Sequence, residues 1–274
     1  MTFGSRLSDA IEDRGRLCVG IDPHPALLDA WGLTDSPIGL ERFALSAVEA
    51  VAGAVPVIKP QSAFFERHGS AGIAVLEKVV QACRDLGALV LLDVKRGDIG
   101  STAQAYADAY LRPSSPLAVD AVTVSPYLGM GSLDPFIDTA LAHDRGVFVL
   151  ALTSNPEGPQ FQLAATPDGR TVAATVLDAV ATLNAGAEPM GSIGVVVGAT
   201  VDDTSAELDV NGPILVPGYG AQGGTVDDIR RVFGTASRNV LPSSSRDILA
   251  AGPDRQALHQ AALRAADDVA TLDR

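Results

Sequence analysis

Four charged side chains fall within six positions: Asp93, Lys95, Arg96 and Asp98. They follow an apolar run, Ala88 to Leu92, that reads as a strand buried on both faces. Charge gathered at the end of a buried strand is costly unless the groups pair with each other or with a ligand. The two-residue period of a strand puts Asp93 and Lys95 on one side of the chain, with Val94 on the other. Flanking carboxylates hold such a lysine in its cationic form. An ammonium so placed can stabilise a negative charge as it develops and then deliver a proton to it. A salt bridge at a helix start is the plain alternative, because a helix with Tyr106, Ala109 and Tyr110 at helical spacing follows at once.

The elements around this stretch alternate in a regular way. A short helix over 5–14 precedes the first strand, LCVGI at 17–21, which ends in Asp22-Pro23-His24-Pro25. The two prolines stop the strand and fix the turn. A helix over 38–52 leads to VPVIKP, a second strand ending at Lys59, and a helix over 70–86 returns to the strand before Asp93. Strands are then expected over 118–129, 146–155, 192–200, 212–224 and 239–246, with helices over 132–143, 171–186, 202–209, 225–234 and 254–272. A polar loop at 156–170, rich in Gly and Pro, interrupts the rhythm. Strand followed by helix, repeated eight times without a linker, predicts a single (β/α)8 TIM barrel over 1–274. A doubly wound sheet is the rival architecture, but Asp22-Pro23-His24-Pro25 occupies the place of its glycine-rich first turn.

In a barrel of this kind the reacting groups sit at the C-terminal ends of the strands. Those ends read Asp22, Lys59, Asp93 with Lys95, Ser125, Thr153 with Ser154, Thr200, Gly218 to Gly224, and Ser243 to Arg246. All are polar or glycine. Gly218, Gly220, Gly223 and Gly224 free the backbone to approach an oxyanion, and Arg246 supplies the fork that suits phosphate oxygens. The loops after strands seven and eight of such barrels often hold phosphate.

Composition narrows the function classes. A net charge of −13 argues against a nucleic-acid partner, so an anionic ligand must be captured by local positive groups. Hydrophobic residues make up 47% of the chain, yet no apolar run reaches the roughly 18 residues of a membrane span, and the N-terminus has no leader pattern. Cys18 and Cys83 lie in apolar elements without metal-ligand spacing and read as reduced core thiols. A cytoplasmic enzyme with no metal site and no cofactor is expected. Only three lysines, at 59, 78 and 95, stand against 17 arginines, and two of the three close apolar strand-like runs. A lysine kept there suggests a compact ammonium, or one that gives up a proton.

The run Asp93, Lys95, Asp98, Ile99 and Thr102 (D-x-K-x-x-D-I-x-x-T) resembles the signature of the orotidine 5'-phosphate decarboxylase family, and KRGDIGSTA resembles its longer bacterial subgroup. The KPQ-x-AFFE run beginning at Lys59, and PGYGAQGG at 217–224, resemble the same subgroup, so the likeness spans nearly the whole chain. Ser125 stands where that subgroup leads one to expect Asn. The resemblance implies cofactor-free decarboxylation of orotidine 5'-monophosphate to uridine 5'-monophosphate, with Lys95, Asp93 and Asp98 as the catalytic set. It also implies ribose contacts from Asp22 and Lys59, a pyrimidine contact from Thr153 or, one position on, Ser154, and phosphate contacts from Gln222 and Arg246. Finally, it implies a homodimer in which Asp98, Ile99 and Thr102 reach the neighbouring subunit's site. Two other enzyme readings use similar parts: a Schiff-base aldolase with Lys95 or Lys59 as nucleophile, and a metal-dependent hexulose-phosphate synthase. A phosphometabolite sensor without turnover is a third class.

Overall fold

The computed structural model describes residues 1–201, 206–220 and 223–273. Its strands are β1 (Cys18–Ile21), β2 (Val57–Pro60), β3 (Leu89–Arg96), β4 (Ala121–Val124), β5 (Gly146–Leu152), β6 (Ile193–Val197), β7 (Ile214–Pro217) and β8 (Val240–Ser244). They pair in parallel in sequence order, and Cys18 and Val19 of β1 close the ring against Ser243 and Ser244 of β8. This is the expected (β/α)8 barrel. Each strand is short and β-branched or apolar because its inner face meets the barrel core and its outer face meets the helices.

One inward residue from each strand fills the interior: Cys18, Val57, Leu91, Ala121, Phe148, Val196, Leu215 and Leu241. The barrel is therefore a packed core rather than a pore. Below it, the helix Phe3–Arg14 covers the N-terminal end, with Phe3 and Leu7 buried and the Phe3 ring edge-on to Phe148 at 6.2 Å. Gly146 and Gly194 make room for these rings, since a Cβ would meet Phe3 at 2.4 Å in the first case and Phe148 at 2.7 Å in the second.

Most predicted elements are present, with three differences. β3 does not stop at the charged residues but runs through them to Arg96, because side-chain and backbone partners described below hold it extended. The helix expected over 202–209 is not found at 206–209, and 202–205 lie outside the described residues. The strand expected over 212–224 is shorter, since β7 ends at Pro217 and residues 218–220 and 223–224 lie outside it. Four short helices, Pro25–Ala30, Ala63–Glu66, Pro159–Gln162 and Arg246–Leu249, were not expected; each spans six residues or fewer, too short for a periodic pattern.

The bottom of the barrel is tied by one carboxylate. Asp120, buried just before β4, accepts from Arg6 Nη1 at 2.7 Å, Arg145 Nη1 at 2.8 Å and the Val90 amide at 2.9 Å. It thus joins the covering helix to three neighbouring strands at the end remote from the polar rim. Replacing Asp120 with Asn removes the charge between two partly buried guanidinium groups. The expected loss is about 2–4 kcal/mol in denaturant unfolding, with activity at 25 °C unchanged.

Candidate active site

The C-terminal rim encloses a cavity of about 440 Å³ whose floor is apolar, formed by Leu150, Val196 and Leu215. Asp93 is the centre of its polar wall. Lys59, at the end of β2, donates to Asp93 Oδ2 at 3.2 Å, and Lys95 donates to Oδ1 at 2.6 Å. Asp93 and Lys95 thus meet on one side of the chain as expected, but through a bulge rather than the regular two-residue pleat. Lys59 and Asp93 are each about 6% exposed, whereas the Lys95 side chain remains about half exposed and faces the cavity.

Burial alone would raise the Asp93 pKa, but Lys59, Lys95 and a hydroxyl partner outweigh it and hold the carboxyl down at about 2. Burial opposes the Lys59 charge as well, yet Asp93 and Asp22 hold its ammonium above the ordinary lysine range. Lys59 and Asp93 therefore hold one another in their charged forms.

β3 makes this arrangement through an irregular backbone. Leu92 pairs with Val122 and Arg96 with Val124, so three residues of β3 stand against the single Thr123 of β4. Lys95 takes a positive φ of 45°, a conformation a non-glycine residue adopts only when its surroundings enforce it. Neighbours on both sides hold the segment. Ser62 N–H and Gln61 Nε2 donate to the Asp93 carbonyl, and Arg96 Nη1 donates to the Val94 carbonyl at 3.1 Å. Arg96 also pairs with Glu66 and lies 5.6 Å over the Tyr106 ring. The KPQ-x-AFFE run therefore works partly as a brace for β3.

Asp22 and Ser245 both lie against Gly20 of β1, and Asp22 Oδ1 and Ser245 Oγ are buried without a hydrogen-bond partner. Both residues line the cavity, so a ligand hydroxyl is the group that would satisfy them. Arg246 lines the same end and makes no ion pair among the described residues. The loop Gly218–Gly224 folds on itself: Gly224 N–H donates to the Gly218 carbonyl at 3.0 Å and Gly220 N–H to the Gly224 carbonyl at 2.9 Å. Gly218, Gly220 and Gly223 all have positive φ, which explains the glycines. Gln222, predicted as a phosphate and pyrimidine contact, lies outside the described residues.

Thr153 and Ser154 both line the cavity after β5. The Thr153 amide donates to Gln162 Oε1 at 2.9 Å, and its hydroxyl accepts from Gln162 Nε2 at 2.8 Å while donating to Asn155 Oδ1 at 2.6 Å. Ser154 Oγ sits against Gly198, where a Cβ would come within 2.0 Å of it. The loop at 156–170 thus pins Thr153 through Gln162.

Asp98, Ile99 and Thr102 do not line the chain's own cavity. The Asp98 carboxylate caps the Ile99 amide at 2.8 Å, Ile99 is 63% exposed, and Thr102 is exposed on the helix Gly100–Leu111. Of Asp93 and Asp98, Asp93 is the one hydrogen-bonded to Lys95 within the chain. Sequence reading missed Gln61, Thr123 and Asn155, all of which line the cavity. Thr123, the single polar residue in an apolar strand, carried a usable signal; Asn155 and Gln61 look like ordinary loop residues. No group of three or more His, Cys, Asp or Glu placed to hold a metal occurs among the described residues.

Comparison with known proteins agrees with this geometry. The chain is 62% identical to an orotidine 5'-phosphate decarboxylase of Salinispora arenicola, over 97% of this chain and 96% of the relative. It is 58% identical to that of Streptomyces coelicolor, over 98% and 97%. A crystal structure from Streptomyces avermitilis superposes with a TM-score of 0.97 at 58% identity, covering 99% of this chain and 95% of the other. The Leishmania donovani OMP decarboxylase superposes at 0.78 with 29% identity, covering 99% of each chain. Residues 15–261 match the pattern of the orotidine 5'-phosphate decarboxylase / HUMPS family, and the chain belongs to that family.

Proposed function

We propose that residues 1–274 form one catalytic barrel that converts orotidine 5'-monophosphate to uridine 5'-monophosphate without a cofactor. The observation that carries this reading is the Lys59–Asp93–Lys95 array on the cavity wall, with Lys95 its one exposed member. Loss of CO2 from C6 of the pyrimidine leaves a carbanion that no adjacent carbonyl delocalises. A fixed ammonium a few ångströms away stabilises that charge as it forms. The same ammonium then transfers a proton to C6. Asp93 aims Lys95 through its hydrogen bond, and Lys59 keeps Asp93 ionised.

The Schiff-base alternative needs a neutral amine, whereas Asp93 holds Lys59 as a cation and engages the Lys95 amine in a hydrogen bond. In the decarboxylase reading, Asp22 and Lys59 take the ribose hydroxyls, Thr153 or Ser154 the pyrimidine edge, and Arg246 with Gln222 the phosphate. Both cysteines are buried and free, which supports a cytoplasmic location, and no helix among the described residues is long and apolar enough to cross a membrane.

The reading includes a homodimer whose sites are shared. Asp98, Ile99 and Thr102 do not line their own cavity, and the loops after β4 and β5 expose apolar side chains, Tyr127, Leu128 and Phe161. Tyr127 and Phe161 already meet edge to face at 5.8 Å. A two-fold partner covering this rim would bury these rings and carry each Asp98 to the other Lys95.

Three measurements test the reading. Lys95→Arg keeps the charge but cannot release a proton near neutral pH, so turnover of orotidylate should fall about a thousandfold or more while uridylate binding persists. Near-normal turnover would remove Lys95 from the chemistry. Arg246→Ala should lower kcat/KM on the nucleotide by about a hundredfold and leave the phosphate-free nucleoside within a few-fold of wild type. Equal losses on both substrates would make Arg246 a structural residue. Mixing inactive Lys95→Ala and Asp98→Ala chains should restore roughly a quarter of wild-type activity, since about half of randomly exchanged dimers carry one intact site. Confirmed subunit exchange without activity would place Asp98 in its own chain's site.

A further inference from the structure

The irregularity in β3 removes ladder partners at the residue that faces the cavity. With Asp93, Val94 and Lys95 opposite Thr123 alone, the Val94 and Lys95 amides have no β4 carbonyl in register. Both instead converge on one atom: Val94 N–H and Lys95 N–H each donate to Thr123 Oγ1 at 3.0 Å. That hydroxyl in turn donates to Asp93 Oδ1 at 2.8 Å, the oxygen that also accepts from Lys95 Nζ. Its one hydrogen and both lone pairs are thereby committed. Thr123 is 1% exposed, so no solvent competes for these bonds.

Although Thr123 lines the cavity, its saturated hydroxyl has nothing left to offer a ligand. We propose that Thr123 is a positioning residue for the reaction: its hydroxyl holds the β3 bulge and so fixes the Lys95 ammonium against Asp93. This inference rests on the decarboxylase reading for its rate measurements. The position opposite such a bulge requires a side-chain oxygen of this length. A valine fills the same volume but strands two buried amides and removes one donor from Asp93. The positive φ of Lys95 then loses its main restraint, and the side chain is free to leave the geometry the chemistry needs.

The test compares full-length wild type, Thr123→Val and Thr123→Ser. Orotidylate kcat and KM are measured across pH, uridylate affinity by calorimetry, and the acetylation rate of Lys95 by mass spectrometry. In the valine variant kcat should fall about a hundredfold, with uridylate affinity within a few-fold of wild type. Its acid limb should move to higher pH, because the ionised Asp93 has lost a donor. Lys95 should acetylate faster, and serine should restore wild-type behaviour on every readout. Thr123→Ala, which adds no bulk, supplies the same readouts if the valine chain does not fold. Wild-type kcat together with wild-type Lys95 labelling in the folded variant overturns the inference, as does a serine variant no better than valine. If the wild-type protein itself fails to turn over orotidylate, the functional reading falls instead, and the Lys95 labelling rates alone decide the role of Thr123.

Discussion

A buried carboxylate bridging two ammonium groups is the constraint around which the upper half of this barrel is arranged. Asp93 and Lys59 are almost wholly withdrawn from water, and each would be strongly destabilised if left alone there. Their mutual attraction, with Lys95 on the second carboxylate oxygen, makes the burial tolerable and fixes three side chains at once. Much of the surrounding structure serves this geometry. β3 bulges to bring Lys95 back onto the same face as Asp93, Thr123 takes the amides the bulge sets free, and Gln61 and Ser62 grip the Asp93 carbonyl.

The two ends of the barrel divide stability from chemistry. At the N-terminal end the Phe3–Arg14 helix, the Phe3–Phe148 pair and the Asp120 ion cluster close a dry core. There the polar groups bond to one another. At the C-terminal end, Asp22 Oδ1 and Ser245 Oγ are buried without partners, and Arg246 has no counter-ion among the described residues. Unpartnered buried oxygens beside a guanidinium without a counter-ion give this end room for a polyhydroxylated anion. The chain carries a net charge of −13, so capture of an anion depends on the short-range field of Lys59, Lys95 and Arg246.

The loop at 156–170 has a definite place in this scheme. Gln162, on its short helix, makes two hydrogen bonds to Thr153, and the orientation of its amide follows from the Thr153 N–H, which can only donate. The Asn155 amide is oriented in the same way by the Glu157 carboxylate, which can only accept. The rim residue after β5 is thus held by a polar network in which each direction of donation is fixed.

By itself the sequence determined the barrel and most of its rim. Eight apolar, β-branched runs separated by helical patterns leave few other ways to bury those runs, and strand direction then carries Asp22, Lys59, Asp93, Lys95, Thr153, Ser154 and Arg246 to one face. The same local logic failed where long-range contacts override propensity. Nothing in the charges at 93–96 announces that β3 continues through them, because the partners that hold it extended lie on β4 and in the turn after β2. Thr123 stands out in the sequence as the one polar residue of β4, but its partners appear only once the bulge sets its hydroxyl opposite two amides. Asp98, Ile99 and Thr102, expected to serve a neighbouring subunit, lie outside their own chain's cavity, with Ile99 and Thr102 exposed. Spacing along a chain fixes which residues travel together, but only the packed tertiary structure decides which way each one faces.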